Sequence, residues 1–220
     1  GLAVTLATLG QIFVQLGDID RAEATLTRTL EVKSPVQFHE TTGAVFDSLA
    51  QIHLMRGDYD KADECLRRAS EAYGAYGSHT MRWYEWSLKV IAVRLAVRRA
   101  EFGRAVEIAD ELAHTVGVPH AEGIQAELAA CEALVASGNA AEAASRLATC
   151  EERLDPRTAP VSWGELLRIR GALNDLSGRA PAAHHDLSQS VNVFELVGER
   201  YQAALSQLAL GTLSLRMGAT

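Results

Sequence analysis

The sequence repeats one pattern at intervals of about forty residues, and this repeat limits what the chain can fold into. A two-residue turn, usually Gly followed by a polar residue, occurs six times, with spacings of 40, 43, 38, 40 and 40 residues. The turns are Gly17-Asp18, Gly57-Asp58, Ala100-Glu101, Gly138-Asn139, Gly178-Arg179 and Gly218-Ala219. Self-similarity at such a period is typical of proteins built from stacked structural units.

Small residues stand at fixed distances on both sides of the turns. An alanine follows each of the first five turns, and a mostly small residue precedes each of the six: these positions are Ala22, Ala62, Ala105, Ala143 and Ala183, and Gly10, Ala50, Val93, Cys131, Gly171 and Gly211. An interior Gly destabilises a helix by about 1 kcal/mol relative to Ala, and it is tolerated where another helix approaches closely. The pattern therefore predicts antiparallel helix pairs packed at these positions. Gly ends the first helix of a pair, and the Asp or Asn that follows can cap the second.

The predicted helices follow from this register. First helices of the pairs are expected at 2–16, 42–56, 81–99, 122–137, 162–177 and 200–217, and second helices at 20–32, 60–75, 102–116, 140–154 and 181–197. The units are then about 1–40, 41–80, 81–120, 121–160, 161–199 and a partial 200–220. Because the chain begins without Met and stops inside a unit, we expect it to be a fragment of a larger protein, with an apolar face uncovered at its last helix.

The two most regular copies, LATLGQIFVQLGDIDRAEATL and DSLAQIHLMRGDYDKADECL, resemble the tetratricopeptide repeat, and the resemblance extends over essentially the whole chain. It is weakest in the third copy, where Ala100-Glu101 replaces Gly-Asp. The resemblance implies an all-α, right-handed superhelical solenoid that forms a single domain over residues 1–220. The period exceeds the usual value of about 34. It is similar to that of extended repeats in sensor regions of large bacterial signalling proteins and transcription regulators, as is the segment SVNVFELVGERYQAALSQLALGTL.

Composition and motifs exclude several classes of function. The net charge is −7 with scattered basic residues, which disfavours direct nucleic-acid binding, and no apolar run is long enough to cross a membrane. Cys65, Cys131 and Cys150 lack metal-ligand spacing and suggest a reducing cytoplasm. No phosphate-binding or hydrolase motif occurs, and adjacent His184 and His185 diverge on a helix. We therefore expect no enzyme activity, no cofactor and no metal.

Three aromatic residues lie near the start of the first helix of the third pair: Trp83, Tyr84 and Trp86. Aromatic residues are enriched at interaction hot spots, so this group could dock a partner. It could equally fill the wider gap between units at the longest spacing. The sequence leaves both interpretations open, and gap filling is the simpler one.

The resemblance implies a concave ligand-binding face formed by the first helices. The residues expected there are Gln11, Gln15, Asp47, Gln51, Arg94, Arg98, Gln125, Glu132, Glu165 and Arg168. This face is polar, with a basic centre at Arg94 and Arg98, and it could hold a peptide or could be simply solvated. The clamp with which some family members hold a C-terminal carboxylate is absent, because the matching positions are Ala7, Gln11, Ser48, Ser87 and Ile91.

Three functions of different class follow from the sequence. We favour a non-catalytic scaffold that binds a protein, a peptide or another domain of the parent chain, within a cytoplasmic bacterial signalling or transcription regulator. The second is a small-effector sensor that controls a linked ATPase or DNA-binding module. The third is a self-association element that forms a homodimer through exposed terminal helices.

Overall fold

The computed structural model describes residues 1–32, 39–75, 81–114 and 120–218, and these residues form eleven helices and no strand. The helices are α1 (Leu2–Gln15), α2 (Ile19–Glu31), α3 (His39–Arg56), α4 (Tyr59–Gly74), α5 (Met81–Arg98), α6 (Phe102–Ala113), α7 (His120–Ala136), α8 (Ala140–Arg153), α9 (Pro160–Leu176), α10 (Ala180–Val197) and α11 (Arg200–Gly218). The all-α prediction is confirmed, and every helix begins and ends within three residues of its predicted position.

The helices form two layers. Each odd-numbered helix packs on the next odd-numbered one, so that α1, α3, α5, α7, α9 and α11 make one continuous inner layer. Each even-numbered helix packs between the inner helices that precede and follow it, and the even-numbered helices form the outer layer. The inner layer therefore presents side chains from every unit of the described chain on one surface.

Close contact between the two helices of a pair occurs at the small positions. A Cβ added to Gly10 would lie 2.6 Å from Leu26 Cγ, and one added to Gly171 would lie 2.7 Å from Leu187 Cγ. The residues completely buried at the other small positions are Ala22, Ala50, Ala62, Val93, Ala105, Cys131, Ala143 and Ala183. Gly211 differs, because nothing lies within 4 Å of a Cβ built on it. The packing expected at Gly211 is not tested, since α11 is the last helix described.

The turns use the left-handed conformation that glycine adopts without strain. Gly17, Gly57, Gly138 and Gly178 have φ between +69° and +83°, and Ala100 takes the same conformation with φ +59°. The sixth expected turn is wrong at its first residue, because α11 continues through Gly218; Ala219 lies outside the described residues.

The acidic residues after the glycines do not cap the next helix as expected. Asp18 and Asp58 stand at the N-cap position, but their side chains accept no backbone hydrogen bond there. They instead contact basic residues one turn on, with Asp18 Oδ2 3.2 Å from Arg21 Nη1 and Asp58 Oδ2 3.4 Å from Lys61 Nζ. In each case the basic side chain three residues later in the sequence competes with the backbone N–H groups for the carboxylate.

The turn between α1 and α2 approaches the start of the last helix. A Cβ added to Gly17, in that turn, would lie 3.1 Å from the Cβ of Arg200, the first residue of α11. The array therefore curves far enough to bring its first unit to its last helix. The helices α1 and α11 both expose large apolar side chains, among them Leu2, Ile12, Leu208 and Leu215. Among the helices described, none combines the length and the apolar character needed to span a bilayer.

Candidate functional site on the inner surface

The curvature of the array brings distant inner residues together. Six of the ten residues predicted for the concave face line one cavity between α3, α5, α7, α9 and α11, which we call the central cavity: Gln51, Arg94, Arg98, Glu132, Glu165 and Arg168. Its volume is about 50 Å³. Gln125 lines a neighbouring cavity of about 110 Å³ that shares Gln51 and Arg94. Gln15 is exposed and lines neither of these cavities.

The arginines of the central cavity are bound to carboxylates rather than free. Arg94 Nη2 donates to Glu165 Oε1 at 2.9 Å, which joins α5 to α9 across α7. Arg98 Nη1 donates to Glu132 Oε1 at 3.1 Å, and Arg168 Nη1 lies 3.4 Å from the same oxygen. The basic centre expected at Arg94 and Arg98 is therefore neutralised by Glu165 and Glu132.

Glu132 shows how strongly these charges act on one another. Burial alone would raise the pKa of its carboxyl group, because it disfavours the charged form. The guanidinium groups of Arg168, Arg98 and Arg94 outweigh burial and lower the pKa of Glu132 below its usual value. Glu132 is therefore ionised at neutral pH, and the network around it is one of full charges.

Asp47 forms a separate polar contact between α3 and α5. It is buried, and its carboxylate accepts hydrogen bonds from Gln51 Nε2 at 3.0 Å and from Ser87 Oγ at 2.8 Å. Burial raises the pKa of Asp47, and the two hydrogen bonds oppose that rise. Asp47 thus links two inner helices and is not available to contact a ligand.

Two residues of α11, Tyr201 and Gln202, also line the central cavity, and sequence analysis missed them. The sequence analysis assigned no inner-surface residue to α11. The start of α11 reaches the cavity because the whole array curves. No local spacing carries that information.

Two polar atoms at the central cavity lack a hydrogen-bond partner among the described residues. They are Arg168 Nε, a donor, and Gln202 Oε1, an acceptor, and both are shielded from solvent. Gln202 uses its other amide atom, Nε2, to donate to Glu165 Oε1 at 3.4 Å. The network therefore leaves one spare donor and one spare acceptor.

A further opening on the inner surface lies between α1 and α3. We call it the N-terminal groove; its volume is about 290 Å³, and it is lined by Val4, Ala7, Thr8, Gln11, Glu40, Thr41, Ala44 and Tyr84. The predicted residue Gln11 belongs to this groove. Its wall mixes methyl and methylene groups with hydroxyl, amide and carboxylate groups.

The aromatic group of α5 divides between two environments. Tyr84 borders the N-terminal groove, where its hydroxyl donates to Glu40 and its ring stacks on Tyr73 with centroids 4.0 Å apart. Trp86 is buried in the core with Val90 and Ala109, as gap filling predicts. The side chain of Trp83 lies outside the described residues.

Potential metal ligands do not gather in the described ranges. Within residues 1–32, 39–75, 81–114 and 120–218, no three His, Cys, Asp or Glu side chains are placed to hold a metal ion. His184 and His185 are both exposed on α10, and His184 Nδ1 lies 3.5 Å from Ser188 Oγ.

Residues 1–75 match the family model of the tetratricopeptide repeat. The matched segment holds the first two helix pairs, including the α1 and α3 walls of the N-terminal groove. This match supports a tetratricopeptide repeat array. Repeats of this family serve protein interaction and are generally not enzymatic. A comparison with curated proteins found no match.

Proposed function

We propose that this tetratricopeptide repeat array is a non-catalytic scaffold that docks a peptide or a partner protein on its inner surface. We further propose that it forms the interaction segment of a cytoplasmic bacterial signalling or transcription regulator, whose other domains are candidate partners. The regulator context is supported by the resemblance of the forty-residue period and of the segment at 190–213 to such proteins. The scaffold function is supported by the match of residues 1–75 to the repeat family.

The observation that carries the proposal is the N-terminal groove. At about 290 Å³ it has room for several side chains of a bound peptide, whereas the central cavity, at about 50 Å³, does not. Val4 and Ala7 can contact apolar groups, while Thr8 and Gln11 can form hydrogen bonds with a peptide backbone. The ring of Tyr84 adds an aromatic contact of the kind that dominates binding energy at interfaces.

A peptide-display selection on the complete 220-residue chain tests this docking site. We expect the protein to enrich peptides that share a motif, and we expect Thr8→Arg to weaken their binding at least about tenfold, or about 1.4 kcal/mol. The large charged side chain would occupy the groove. Thr27→Arg, at an exposed position on α2, makes the same change on the outer layer and should leave binding intact. Equal binding by both variants, or the absence of any shared motif, would contradict the proposal.

Self-association is a second candidate function, supported by the apolar side chains that α1 and α11 expose. Leu215 of α11 is 77% exposed, and Leu208 lies two turns before it on the same helix. Sedimentation velocity tests this function. A concentration-dependent dimer should be lost in Leu215→Glu and retained in Leu196→Glu, which carries the same change on α10 at an 88% exposed position.

A further inference from the structure

The N-terminal groove carries a charge on one of its two walls. Among the described residues that line it, Glu40 of α3 is the only one with a charged side chain. The other lining side chains are apolar or end in a hydroxyl or amide group. The facing helix α1, LAVTLATLGQIFVQ, has no charged side chain along its whole length. The α1 wall therefore cannot neutralise Glu40.

The carboxylate of Glu40 is held in place by neighbouring helices. The hydroxyl of Tyr84, on α5, donates to Glu40 Oε1. The Tyr84 ring stacks on Tyr73 of α4 with the ring planes 11° apart, and Tyr73 is only 3% exposed. The backbone of α3 packs closely on the same stack, because a Cβ added to Gly43 would overlap the Tyr73 ring. Three helices thus fix the position of this carboxylate before any ligand arrives, which reduces the entropy lost on binding.

Glu40 retains most of its hydrogen-bonding capacity. A carboxylate offers about four lone-pair sites on its two oxygens, and the bond from Tyr84 uses one of them. The side chain is exposed, and within residues 1–32, 39–75, 81–114 and 120–218 no basic side chain forms an ion pair with it. Glu132 and Glu165 of the central cavity differ, because each already binds an arginine. Glu40 is therefore accessible to a cation from outside the chain.

The walls beside Glu40 favour a long side chain with a cation at its end. Val4, which is 46% exposed, Ala7 and Ala44 give the groove apolar surface. Lys and Arg side chains place their methylene groups on such surface and keep the charged end at a polar edge. An acidic side chain would be repelled by Glu40, and an apolar one would displace water from the carboxylate without replacing its hydrogen bonds.

We propose that the N-terminal groove recognises a peptide segment through a Lys or Arg side chain, whose charged end forms a hydrogen-bonded ion pair with Glu40. This assignment rests on the docking function proposed above and names the chemistry of the partner. The net charge of −7 also favours a basic segment, because opposite charges speed association. Since Glu40 is exposed, added salt should screen the ion pair and weaken binding.

A selection of random displayed peptides, carried out on the complete chain and on Glu40→Lys, tests the assignment. We expect the peptides enriched by the original chain to share Lys or Arg at one position. Reversal of the charge should remove this preference and favour Asp or Glu at that position. An enriched motif without a basic residue, or the same basic motif from both chains, would overturn the assignment and leave peptide docking intact. The absence of any shared motif would overturn both.

Fluorescence anisotropy with one labelled peptide of the enriched motif measures the contact itself. Glu40→Gln keeps the size of the side chain and removes its charge, and we expect it to weaken binding about three- to tenfold. Replacing the basic residue of the peptide with Leu should weaken binding to the original chain by a similar factor. The same replacement should matter much less in Glu40→Gln, because the contact is already lost there. Equal effects of the replacement on both chains would place the basic residue elsewhere.

A matched control separates this contact from general attraction between charges. Glu85→Gln removes the same charge from an exposed position of α5 that does not line the groove, and it should bind like the original chain. An equal loss in Glu85→Gln and Glu40→Gln would contradict a specific ion pair. If Glu40→Lys fails to fold by circular dichroism, Glu40→Gln and the substituted peptide decide.

Thr8→Arg distinguishes failure of this assignment from failure of the docking site. Loss of binding in Thr8→Arg but not in Glu40→Gln would keep the groove as the docking site and overturn recognition of a basic residue. Unchanged binding in both variants would overturn both proposals. Loss in both variants, with Glu85→Gln unaffected, is the result expected if Glu40 binds the basic side chain.

Discussion

In both the third and the fifth helix pair, a larger residue on one helix faces a smaller residue on the other. The two pairs differ in which helix carries the larger residue. In the fifth pair, Gly171 of α9 lies against Leu187 of α10. In the third pair, Val93 of α5 stands at the position of the glycine and Ala109 of α6 at the position of the leucine, and both are buried. The comparison teaches that, in these two pairs, a larger residue on one helix is matched by a smaller residue on the other.

The two pairs also differ in their turns. Gly178 has φ +70° and Ala100 has φ +59°, so both adopt the left-handed conformation. Glycine does so without strain, whereas an L-residue with a Cβ is disfavoured there by about 1–2 kcal/mol. The third pair thus keeps the turn geometry at an energetic cost that the fifth pair avoids. The ion pair from Arg94 to Glu165 then joins the two pairs directly.

The largest effect should come from removing the large residue of the fifth pair. Leu187→Ala should lower the free energy of unfolding by about 2–5 kcal/mol, because Leu187 is buried and the glycine opposite cannot fill the cavity. Urea unfolding followed by circular dichroism measures this change. Leu196→Ala, on the same helix but exposed, should change stability by less than about 0.5 kcal/mol. Similar values for the two variants would mean that the contact is not tightly packed.

The second effect tests whether volume can be exchanged across the contact. Gly171→Val should destabilise the protein by about 1–3 kcal/mol, since its Cβ would lie 2.7 Å from Leu187 Cγ. Combining it with Leu187→Ala reproduces the arrangement of the third pair. The double variant should then be more stable than the sum of the two single changes predicts, by about 1 kcal/mol or more. Strict additivity in this double-mutant cycle would refute the volume argument.

A smaller effect should follow from breaking the link between the two pairs. Arg94→Gln should destabilise the protein by about 1–2 kcal/mol, because it leaves the buried carboxylate of Glu165 without its cation. The loss is limited because the Arg94 side chain is 31% exposed, and solvent screens part of the interaction. The double variant with Glu165→Gln should recover part of the loss. Chemical denaturation of all three variants checks this, and no recovery would mean that Glu165 has no unfavourable burial to relieve.

The smallest effect should come from the turn of the third pair. Ala100→Gly should stabilise the protein by about 0.5–1 kcal/mol, since relief of the left-handed strain exceeds the extra flexibility that glycine gives the unfolded chain. The reverse change, Gly178→Ala, should destabilise the fifth pair by about 1 kcal/mol, because nothing within 4 Å would contact the new Cβ and only backbone strain remains. Thermal unfolding of both variants measures the difference, and shifts of the same sign would contradict it.

The sequence predicts the contacts within a helix pair better than those between distant pairs. Gly171 and Leu187 are 16 residues apart, and their meeting follows from helix length and the turn between them. Arg94 and Glu165 are 71 residues apart, and their contact depends on small rotations accumulated over several units. For this reason the residues of the inner surface could be chosen from the repeat, while their ion pairs and the part played by Gln202 could not.

The approach of Arg200 to Gly17 makes this array about one revolution of a spiral. After five helix pairs, the next inner helix arrives beside the first turn, so one revolution contains about five units. If further units followed the same geometry, each would stand above a unit one revolution below, and a hollow channel would run along the axis. The central cavity would then be one section of that channel. Longer arrays of such units would gain contacts between successive revolutions that no shorter array possesses.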